Sequence, residues 1–264
     1  MLYFVGTPIG NLDDMTFRAV ETLKSVDEIA CEDTRHSLTL LTRYEIKKPL
    51  FSYHKFNEKE VGEKIIEKLK SGKNIAVITD AGMPVISDPG NILCGLLKSE
   101  GLEYTVIPGA TALITALVLS GFPADRFCFL GFLPEKTEKR KAFLKNYANF
   151  DGTLIFYSAP HDVEKDVATL YSVLGDRKAC ACKELTKIHE KAITFNLKDG
   201  LVGENKGEFV LIVEGKKQEM GSDLSAEELL KELIDSGVEK KEAIKKVAKI
   251  KGVTKQEIYK LTVR

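Results

Sequence analysis

Residues 79–90, Thr-Asp-Ala-Gly-Met-Pro-Val-Ile-Ser-Asp-Pro-Gly, form a polar segment between the apolar run 75–78 and a helical pattern that begins at Asn91. Glycine allows a backbone to approach a ligand closely, and proline fixes φ and removes a competing N–H group. In an open α/β sheet, ligands bind at loops that follow the carboxyl ends of strands. The same composition is also typical of two ordinary turns in tandem. The segment alone is compatible with a ligand-binding loop and with two ordinary turns. If it is a ligand-binding loop, we expect it to bind a small molecule.

Four other segments of similar composition follow predicted strands. The small residues at 110–112 begin a helix, where N–H groups are available for a carboxylate or hydroxyl, although close packing of helix on sheet would explain them too. Neither the G-x-G-x-x-G dinucleotide motif nor the G-x-x-x-x-G-K-[ST] phosphate loop occurs in the chain. Several strand-end loops in both halves of the chain favour one shared site. These segments are 7–11, 107–112, 156–161 and 183–187.

The composition is that of a globular protein without an overall charge bias. Of 264 residues, 44% are hydrophobic and 30% are charged, and 39 basic residues balance 39 acidic ones, so contact with nucleic acid requires local patches. The five cysteines form no C-x-x-C pair and the four histidines are scattered, so we expect neither disulfides nor a metal site. The N-terminus lacks the features of a secretory signal, and residues 106–123 fall short of a membrane span. We therefore expect a cytoplasmic protein with no membrane partner.

Apolar, β-branched runs alternate with amphipathic segments over the first 110 residues, which predicts a parallel sheet covered on both faces. Further along, several strands follow one another too closely for intervening helices, which favours a mixed sheet. We predict an α/β fold with a parallel-sheet domain at 1–110, a mixed-sheet domain at 111–216 and a main cleft between them. The predicted strands are 2–5, 28–31, 75–78, 104–107, 127–130, 153–157, 178–183, 192–195 and 209–213, and the predicted helices of this part are 16–24, 36–43, 58–70, 91–100 and 110–119.

The C-terminal segment predicts a small basic helical domain at 222–264, after a polar linker. Ser225 with Glu228 and Thr254 with Glu257 fit the S/T-x-x-E capping box, in which side chains satisfy N–H groups of the first helical turn. Helices are expected over 225–235, 240–250 and 254–261.

A series of short motifs, taken in order, resembles the ribosomal RNA small subunit methyltransferase I family, which has the tetrapyrrole-methylase fold. Each motif is weak alone, but the set is specific and extends to about residue 215. The motifs are Thr7-Pro8-Ile9-Gly10-Asn11-Leu12, Glu32-Asp33-Thr34-Arg35-His36, Ser52-Tyr53-His54, Asp80-Ala81-Gly82, Ile86-Ser87-Asp88-Pro89-Gly90, Pro108-Gly109, Gly131-Phe132-Leu133-Pro134, Glu184-Leu185-Thr186-Lys187 and Gly207-Glu208-Phe209-Val210.

The resemblance implies transfer of a methyl group from S-adenosylmethionine to the ribose 2′-hydroxyl of cytidine 1402 in 16S rRNA of the 30S subunit, with S-adenosylhomocysteine as product and no metal. It also suggests a homodimer. The chain departs from the family pattern at Met83, Ser158, Asp162 and Lys183, so no role is assigned to Ser158 or Asp162. The cofactor residues that the resemblance implies are Pro8, Asp80, Ala81, Gly82, Met83, Asp88, Pro108, Gly109, Thr111, Ala112, Leu185 and Thr186.

A ribose hydroxyl is a weak acid, so a general base could assist its attack. The sequence does not choose among Asp33, His54, Asp80, His161 and Glu184, each of which could instead be a helix cap or a structural imidazole.

Basic residues at several positions could contact RNA, and a solvated helix face is the alternative for each run. Arg35 could grip a phosphate or belong to a helix cap. The RNA-contact candidates are Arg35, Lys139, Arg140, Lys241 and Lys245.

Two other functional classes remain open. One is a methyltransferase of the same fold that acts on a tetrapyrrole or another small molecule, which would have no need of the basic C-terminal segment. The other is a non-catalytic RNA-binding or ribosome-assembly protein, which the several ligand-shaped loops disfavour.

Overall fold

The structure, a computed structural model, describes residues 1–203, 206–216 and 224–261. It divides the chain into two compact units, Met1–Gly215 and Lys216–Arg264. Two five-stranded sheets belong to the first unit, so the domain boundary at residue 110 remains a prediction. Residues 222–223 and 262–264 of the predicted C-terminal domain lie outside the described part of the chain.

The first sheet is wholly parallel, as predicted, with the strand order β3-β2-β4-β1-β5. Consecutive strands are connected by crossover segments rather than hairpins, as parallel pairing requires. The elements are β1 (Leu2–Val5), α1 (Phe17–Ser25), β2 (Glu28–Cys31), α2 (Thr34–Arg43), β3 (Leu50–Ser52), α3 (Glu58–Lys70), β4 (Ile75–Val77), α4 (Asn91–Ser99) and β5 (Tyr104–Ile107).

Helices cover both faces of this sheet, which explains why its central strand β4 is apolar throughout. On one face, Val5, Ile29 and Ala76 pack against α1 and α2. On the other, Phe4 and Val77 pack against α3 and α4. The covered faces leave the carboxyl ends of the strands as the edge where polar loops emerge.

The second sheet is mixed, as predicted, in the order β6-β7-β10-β8-β9. Strands β6 and β7 are parallel, and the other neighbouring pairs are antiparallel. Helices α6 and α7 cover one face and α5 the other. The elements are α5 (Ala112–Ser120), β6 (Phe127–Phe132), α6 (Thr137–Lys145), β7 (Thr153–Ser158), α7 (Val163–Leu174), β8 (Lys178–Lys183), β9 (Lys191–Asn196) and β10 (Phe209–Val213).

A shared apolar cluster joins the two halves of the first unit. Ile9, which follows β1, packs with Ala116 and Leu117 of α5 and with Cys180 and Val210 of the second sheet. The loop after the first strand is therefore anchored against the second half of the unit.

The second unit consists of three helices, α8 (Ala226–Asp235), α9 (Lys240–Lys251) and α10 (Lys255–Leu261), around a small core. Both predicted capping boxes are present: the Glu228 N–H donates to the Ser225 hydroxyl, and the Glu257 N–H donates to the Thr254 hydroxyl. Within the described ranges, no helix has the length and apolar character needed to cross a membrane.

Candidate active site

The loops after β1 and β4 are joined by backbone hydrogen bonds. The Thr7 N–H donates to the Gly82 carbonyl over 2.9 Å, and the Gly82 N–H donates back to the Thr7 carbonyl over 3.2 Å. The Thr7 hydroxyl also donates to the Thr79 carbonyl over 3.1 Å. The first residues of segment 79–90 are thus fixed against the first loop.

The end of β5 approaches the same loop through a contact that only glycine allows. A Cβ atom on Gly6 would lie 2.6 Å from the Met83 sulfur and 2.8 Å from the Gly109 Cα atom. These distances are shorter than van der Waals contact, so Gly6 and Gly109 are required for the backbones to meet. The exits of β1, β4 and β5 therefore converge.

The loop after β8 reaches this site from the second sheet. A Cβ atom on Gly10 would lie 2.6 Å from the Leu185 carbonyl oxygen and 2.7 Å from the Thr186 hydroxyl oxygen. Glu184 and Thr186 have φ values of 50° and 63°, a region that is unfavourable for residues with a Cβ atom. Such strain is stored preferentially at functional sites.

A cavity of about 460 Å³ lies beside the joined loops, within the size range of small-molecule sites. Thr79 is one of its lining residues. The Thr79 hydroxyl is buried and has no hydrogen-bond partner in the described part of the chain, so a polar ligand atom could satisfy it. The lining residues are Pro8, Ile9, Gly10, Leu12, His36, Ser37, Thr39, Leu40, Thr79, Asp80, Ala81, Lys187 and Glu208.

Three carboxyl groups concentrate negative charge at the strand ends. Burial, then the charges of Glu32 and Asp80, raise the pKa of Asp88 to about 6. Burial and Asp80 also raise the pKa of Glu32, and His54 opposes that shift. Because each carboxyl destabilises the ionised form of its neighbours, this region would favour a cationic ligand. No group of three or more His, Cys, Asp or Glu within the described residues has the arrangement of a metal site.

Among the five predicted bases, Asp80 is the one that lines the cavity. Its carboxylate accepts a hydrogen bond from the Asp33 N–H over 3.2 Å. The Asp33 carboxylate instead caps α2, accepting from the Arg35 N–H over 2.8 Å. The His54 Nδ1 atom accepts a hydrogen bond from the Phe56 N–H, which leaves the other ring nitrogen as the protonated one when the ring is neutral.

Glu184 and His161 are placed less favourably for proton abstraction. The Glu184 carboxylate accepts from the Lys187 ammonium over 3.1 Å and from the Glu208 N–H over 3.2 Å, and Lys187 is the main cause of its lowered pKa. A carboxylate held in its ionised form in this way is a weak base. The His161 imidazole is 81% exposed and lies 3.5 Å from Asp162.

Of the predicted cofactor residues, Pro8, Asp80 and Ala81 line the cavity, and the role of the whole set remains a prediction. Gly82, Met83, Gly109, Leu185 and Thr186 take part in the loop contacts described above. Asp88 is one of the three carboxyl groups described above. Pro108 and Thr111 lie between β5 and α5, and Ala112 packs in the apolar cluster that contains Ile9.

The structure contradicts the prediction that Arg140 contacts RNA. Its side chain is 1% exposed, donates to the Pro134 carbonyl over 2.8 Å and is paired with Asp166 and Asp162. Ser158 donates to Asp166 over 2.6 Å, so two of the four departures from the family pattern, Ser158 and Asp162, belong to this network. A guanidinium enclosed in this way cannot reach an external phosphate.

The other predicted RNA contacts are on the surface. Arg35 is exposed at the start of α2, and Lys139 is exposed on α6. Lys241 and Lys245 are exposed on α9. Their accessibility is compatible with the predicted role, which remains a prediction.

Several site residues carried no predicted role. Glu32 directly follows β2, and that position was a usable signal. Thr79 begins the polar segment 79–90 and His36 ends the motif 32–36, whereas Thr39 lies outside every motif. All three line the cavity. Tyr157 packs edge-on against Phe129 at 4.8 Å, and burial, opposed by a hydrogen bond with Leu113, raises its pKa.

Residues 1–200 match the family model of the Tetrapyrrole (Corrin/Porphyrin) Methylases. The solved structure of uroporphyrin-III C-methyl transferase from Thermus thermophilus, complexed with S-adenyl homocysteine, shares the fold with a TM-score of 0.58 and 17% sequence identity. That similarity covers 80% of this chain and 96% of the other. The two sheets and their converging loops thus define a protein of the tetrapyrrole-methylase class.

Two relatives have much higher sequence similarity, and both are named ribosomal RNA small subunit methyltransferase I. The Haemophilus influenzae protein is 46% identical over 269 residues, which cover 98% of this chain and 95% of the relative. The Thermotoga maritima protein is 39% identical over 220 residues, which cover 82% of this chain and 99% of the relative. The chain belongs to the ribosomal RNA small subunit methyltransferase I family, which confirms the resemblance found in the sequence.

Proposed function

We propose that this protein transfers a methyl group from S-adenosylmethionine to the ribose 2′-hydroxyl of a cytidine in 16S rRNA, with S-adenosylhomocysteine as the second product. The main supporting observation is the convergence of the loops after β1, β4, β5 and β8 beside one cavity, in a chain of this family. The names of the relatives support rRNA of the small subunit as substrate. An RNA substrate within 30S subunits also favours action in the cytoplasm.

The residues at the loops fit S-adenosylmethionine. The Thr79 and Thr186 hydroxyls are buried without a partner among the described residues, and the cofactor has polar atoms that could satisfy them. The carboxyl groups of Glu32, Asp80 and Asp88 are complementary to a sulfonium cation. The segment from Asp80 to Met83, together with the segments at 108–112 and 185–186, would hold the cofactor. When bound, the cofactor supplies an electrophilic methyl group.

Within this function, Asp80 would accept the proton of the acceptor hydroxyl. It lines the cavity, and the Asp33 N–H fixes its carboxylate from outside. Proton transfer by a positioned side chain typically contributes about 10²–10⁴-fold to a rate. The remaining loop residues would act by holding the reacting groups in line and excluding water.

The test of the function is incubation of hypomethylated 30S subunits with labelled S-adenosylmethionine, followed by mapping of the modified nucleotide and atom. We expect label on the ribose oxygen of one cytidine in 16S rRNA. A free tetrapyrrole serves as the control substrate and should remain unlabelled. Transfer to the tetrapyrrole, or binding of RNA without any transfer, would support the other two classes instead.

The Asp80→Asn variant tests the proposed base. Asparagine retains an oxygen that can accept from the Asp33 N–H but has no basic carboxylate. We expect kcat to fall by about 10²–10⁴-fold. Cofactor affinity, measured by calorimetry, should fall much less, because the carboxyl groups of Glu32 and Asp88 remain. Asp33→Asn is the matched control, because asparagine also caps helices well, and it should retain activity. A loss of cofactor affinity as large as the loss of kcat, with normal turnover at saturating cofactor, would show that Asp80 acts in cofactor binding and is not the base.

We also propose that the protein acts as a homodimer, as the family resemblance suggested. Helix α5 is apolar but leaves Ile114, Val118 and Leu119 exposed, and the edge strands β5 and β6 expose Val106 and Phe132. Ile114 and Val118 are four residues apart and therefore share one face of the helix, and an exposed apolar face often marks a protein–protein interface. Sedimentation equilibrium would measure the state directly, and a monomer at micromolar concentration would exclude it.

A further inference from the structure

The C-terminal unit contains a second cavity, an open groove between α9 and α10 of about 980 Å³. The proposed methyl transfer assigns it no role. Its lining combines a basic rim with an aromatic ring and one amide. The lining residues are Glu239, Lys240, Lys241, Glu242, Ile244, Lys245, Lys255, Gln256, Tyr259 and Lys260.

The charge of the groove favours a polyanion. Five lysines line it against two glutamates, in a chain whose overall charge is zero. The Lys245 ammonium lies 3.7 Å from the Glu242 carboxylate, but both side chains are more than half exposed, so this ion pair is weak. Phosphate groups could therefore compete for Lys245. Lysines gathered at one groove concentrate a positive field there.

Tyr259 gives the groove a feature that a solvated lysine face lacks. Its neighbour Ile258 is 1% exposed and anchors α10 to the core of the unit, whereas Tyr259 is 58% exposed. Aromatic rings flanked by cations are the usual platform for unpaired bases, since each base offers a stacking face. In a duplex those faces are covered by neighbouring base pairs.

We propose that the α9–α10 groove binds single-stranded RNA, with Tyr259 stacked on a base and Lys245 and Lys255 in contact with phosphates. The inference rests on the proposed function for the nature of the substrate, a segment of ribosomal RNA. The groove would hold an unpaired segment of the RNA that the first unit methylates. Gln256 would meet base edges through its amide.

The experiment uses the full-length protein and a fluorescein-labelled, single-stranded pyrimidine RNA of about ten nucleotides, with anisotropy as the readout. Tyr259→Ala should weaken binding about tenfold, whereas Tyr259→Phe, which keeps the ring, should bind as the parent does. Lys245→Ala should lower the slope of log K against log salt by about 0.7. Lys246→Ala is the matched control, because Lys246 is exposed on the same helix but does not line the groove.

Unchanged affinity in Tyr259→Ala, or equal affinity for a duplex of the same length, would overturn the stacking role of the groove. Thermal unfolding of each variant checks that the helices remain folded. Methylation of 30S subunits by the parent protein is measured in parallel. If the parent protein methylates 30S subunits but Tyr259→Ala binds the RNA as tightly as the parent does, the RNA-binding role of the groove is excluded and the proposed function stands. If Tyr259→Ala loses RNA affinity but the parent transfers no methyl group to 30S subunits, the proposed function is excluded and the role of the groove stands.

Discussion

The guanidinium of Arg140 is enclosed between α6 and α7, and Asp166 and Ser158 complete its surroundings. Burial raises the pKa of Asp166, although Ser158 and Arg140 oppose the shift. The two buried charges therefore depend on each other, because removal of either one would leave the other in the interior without a counter-ion. Its physical role is to fix the end of β7 against the two helices.

We predict that Arg140→Ala lowers the free energy of unfolding by about 3–5 kcal/mol, because it leaves the buried Asp166 without its counter-ion. Lys139→Ala, one residue earlier and exposed, should change it by less than about 0.5 kcal/mol. Urea denaturation of both variants measures the difference. Equal stability of the two variants would contradict the structural role of Arg140.

The adjacent pair Lys139 and Arg140 shows what a sequence does not reveal at this scale. Both are basic residues of one charged helix, and composition predicts a solvated face for both. The tertiary position of Asp166, which is 26 residues away from Arg140, decides that one of them is buried. Site residues within recognisable motifs were predictable, whereas cavity residues outside them, such as Thr39 and Leu40, depended on how separate elements meet.

At the scale of elements, the sequence predicted both sheets and most helices because short apolar runs alternate with amphipathic segments and are separated by polar loops. Strand β3 was missed because it has three residues, none of them fully buried. Helices α6 and α7 were also missed. In α7 the signal was present, since Val163, Val167, Leu170 and Leu174 repeat at helical spacing and are buried. In α6 the many charges obscured it.

The joining of the two halves depends on the close contact at Gly10. We predict that Gly10→Ala weakens S-adenosylmethionine binding by roughly tenfold, or about 1.4 kcal/mol, because a Cβ atom would lie 2.6 Å from the Leu185 carbonyl and displace the loop after β8. Isothermal titration calorimetry measures this affinity directly.

Gly95→Ala provides the matched control. Gly95 lies within α4, and a Cβ atom there would meet nothing within 4 Å. Alanine should stabilise that helix by about 0.5–1 kcal/mol and leave cofactor affinity unchanged. If both alanine variants bind the cofactor as the parent does, the loop after β8 is not part of the cofactor site.

At the scale of the whole molecule, the chain combines a unit with the candidate active site and a separate basic unit, Lys216–Arg264. The first unit has its own apolar clusters, and the second has a core formed by its three helices. Because each unit has its own core, the two units can be tested separately.

We predict that a chain ending at Gly215 binds S-adenosylmethionine with unchanged affinity but binds RNA more weakly, with a smaller dependence on salt. The cofactor-site residues all precede the cut, whereas the lysines of α9 and α10 lie beyond it. The truncated chain has fewer lysines to contact phosphates, so its binding releases fewer counter-ions from the RNA. The slope of log K against log salt should therefore become smaller by about 0.7 for each lost phosphate contact. Calorimetry for the cofactor and filter binding of 30S subunits between low and high salt measure the two effects. A truncated chain that has lost the cofactor but retained RNA affinity would reverse the assignment of the two units.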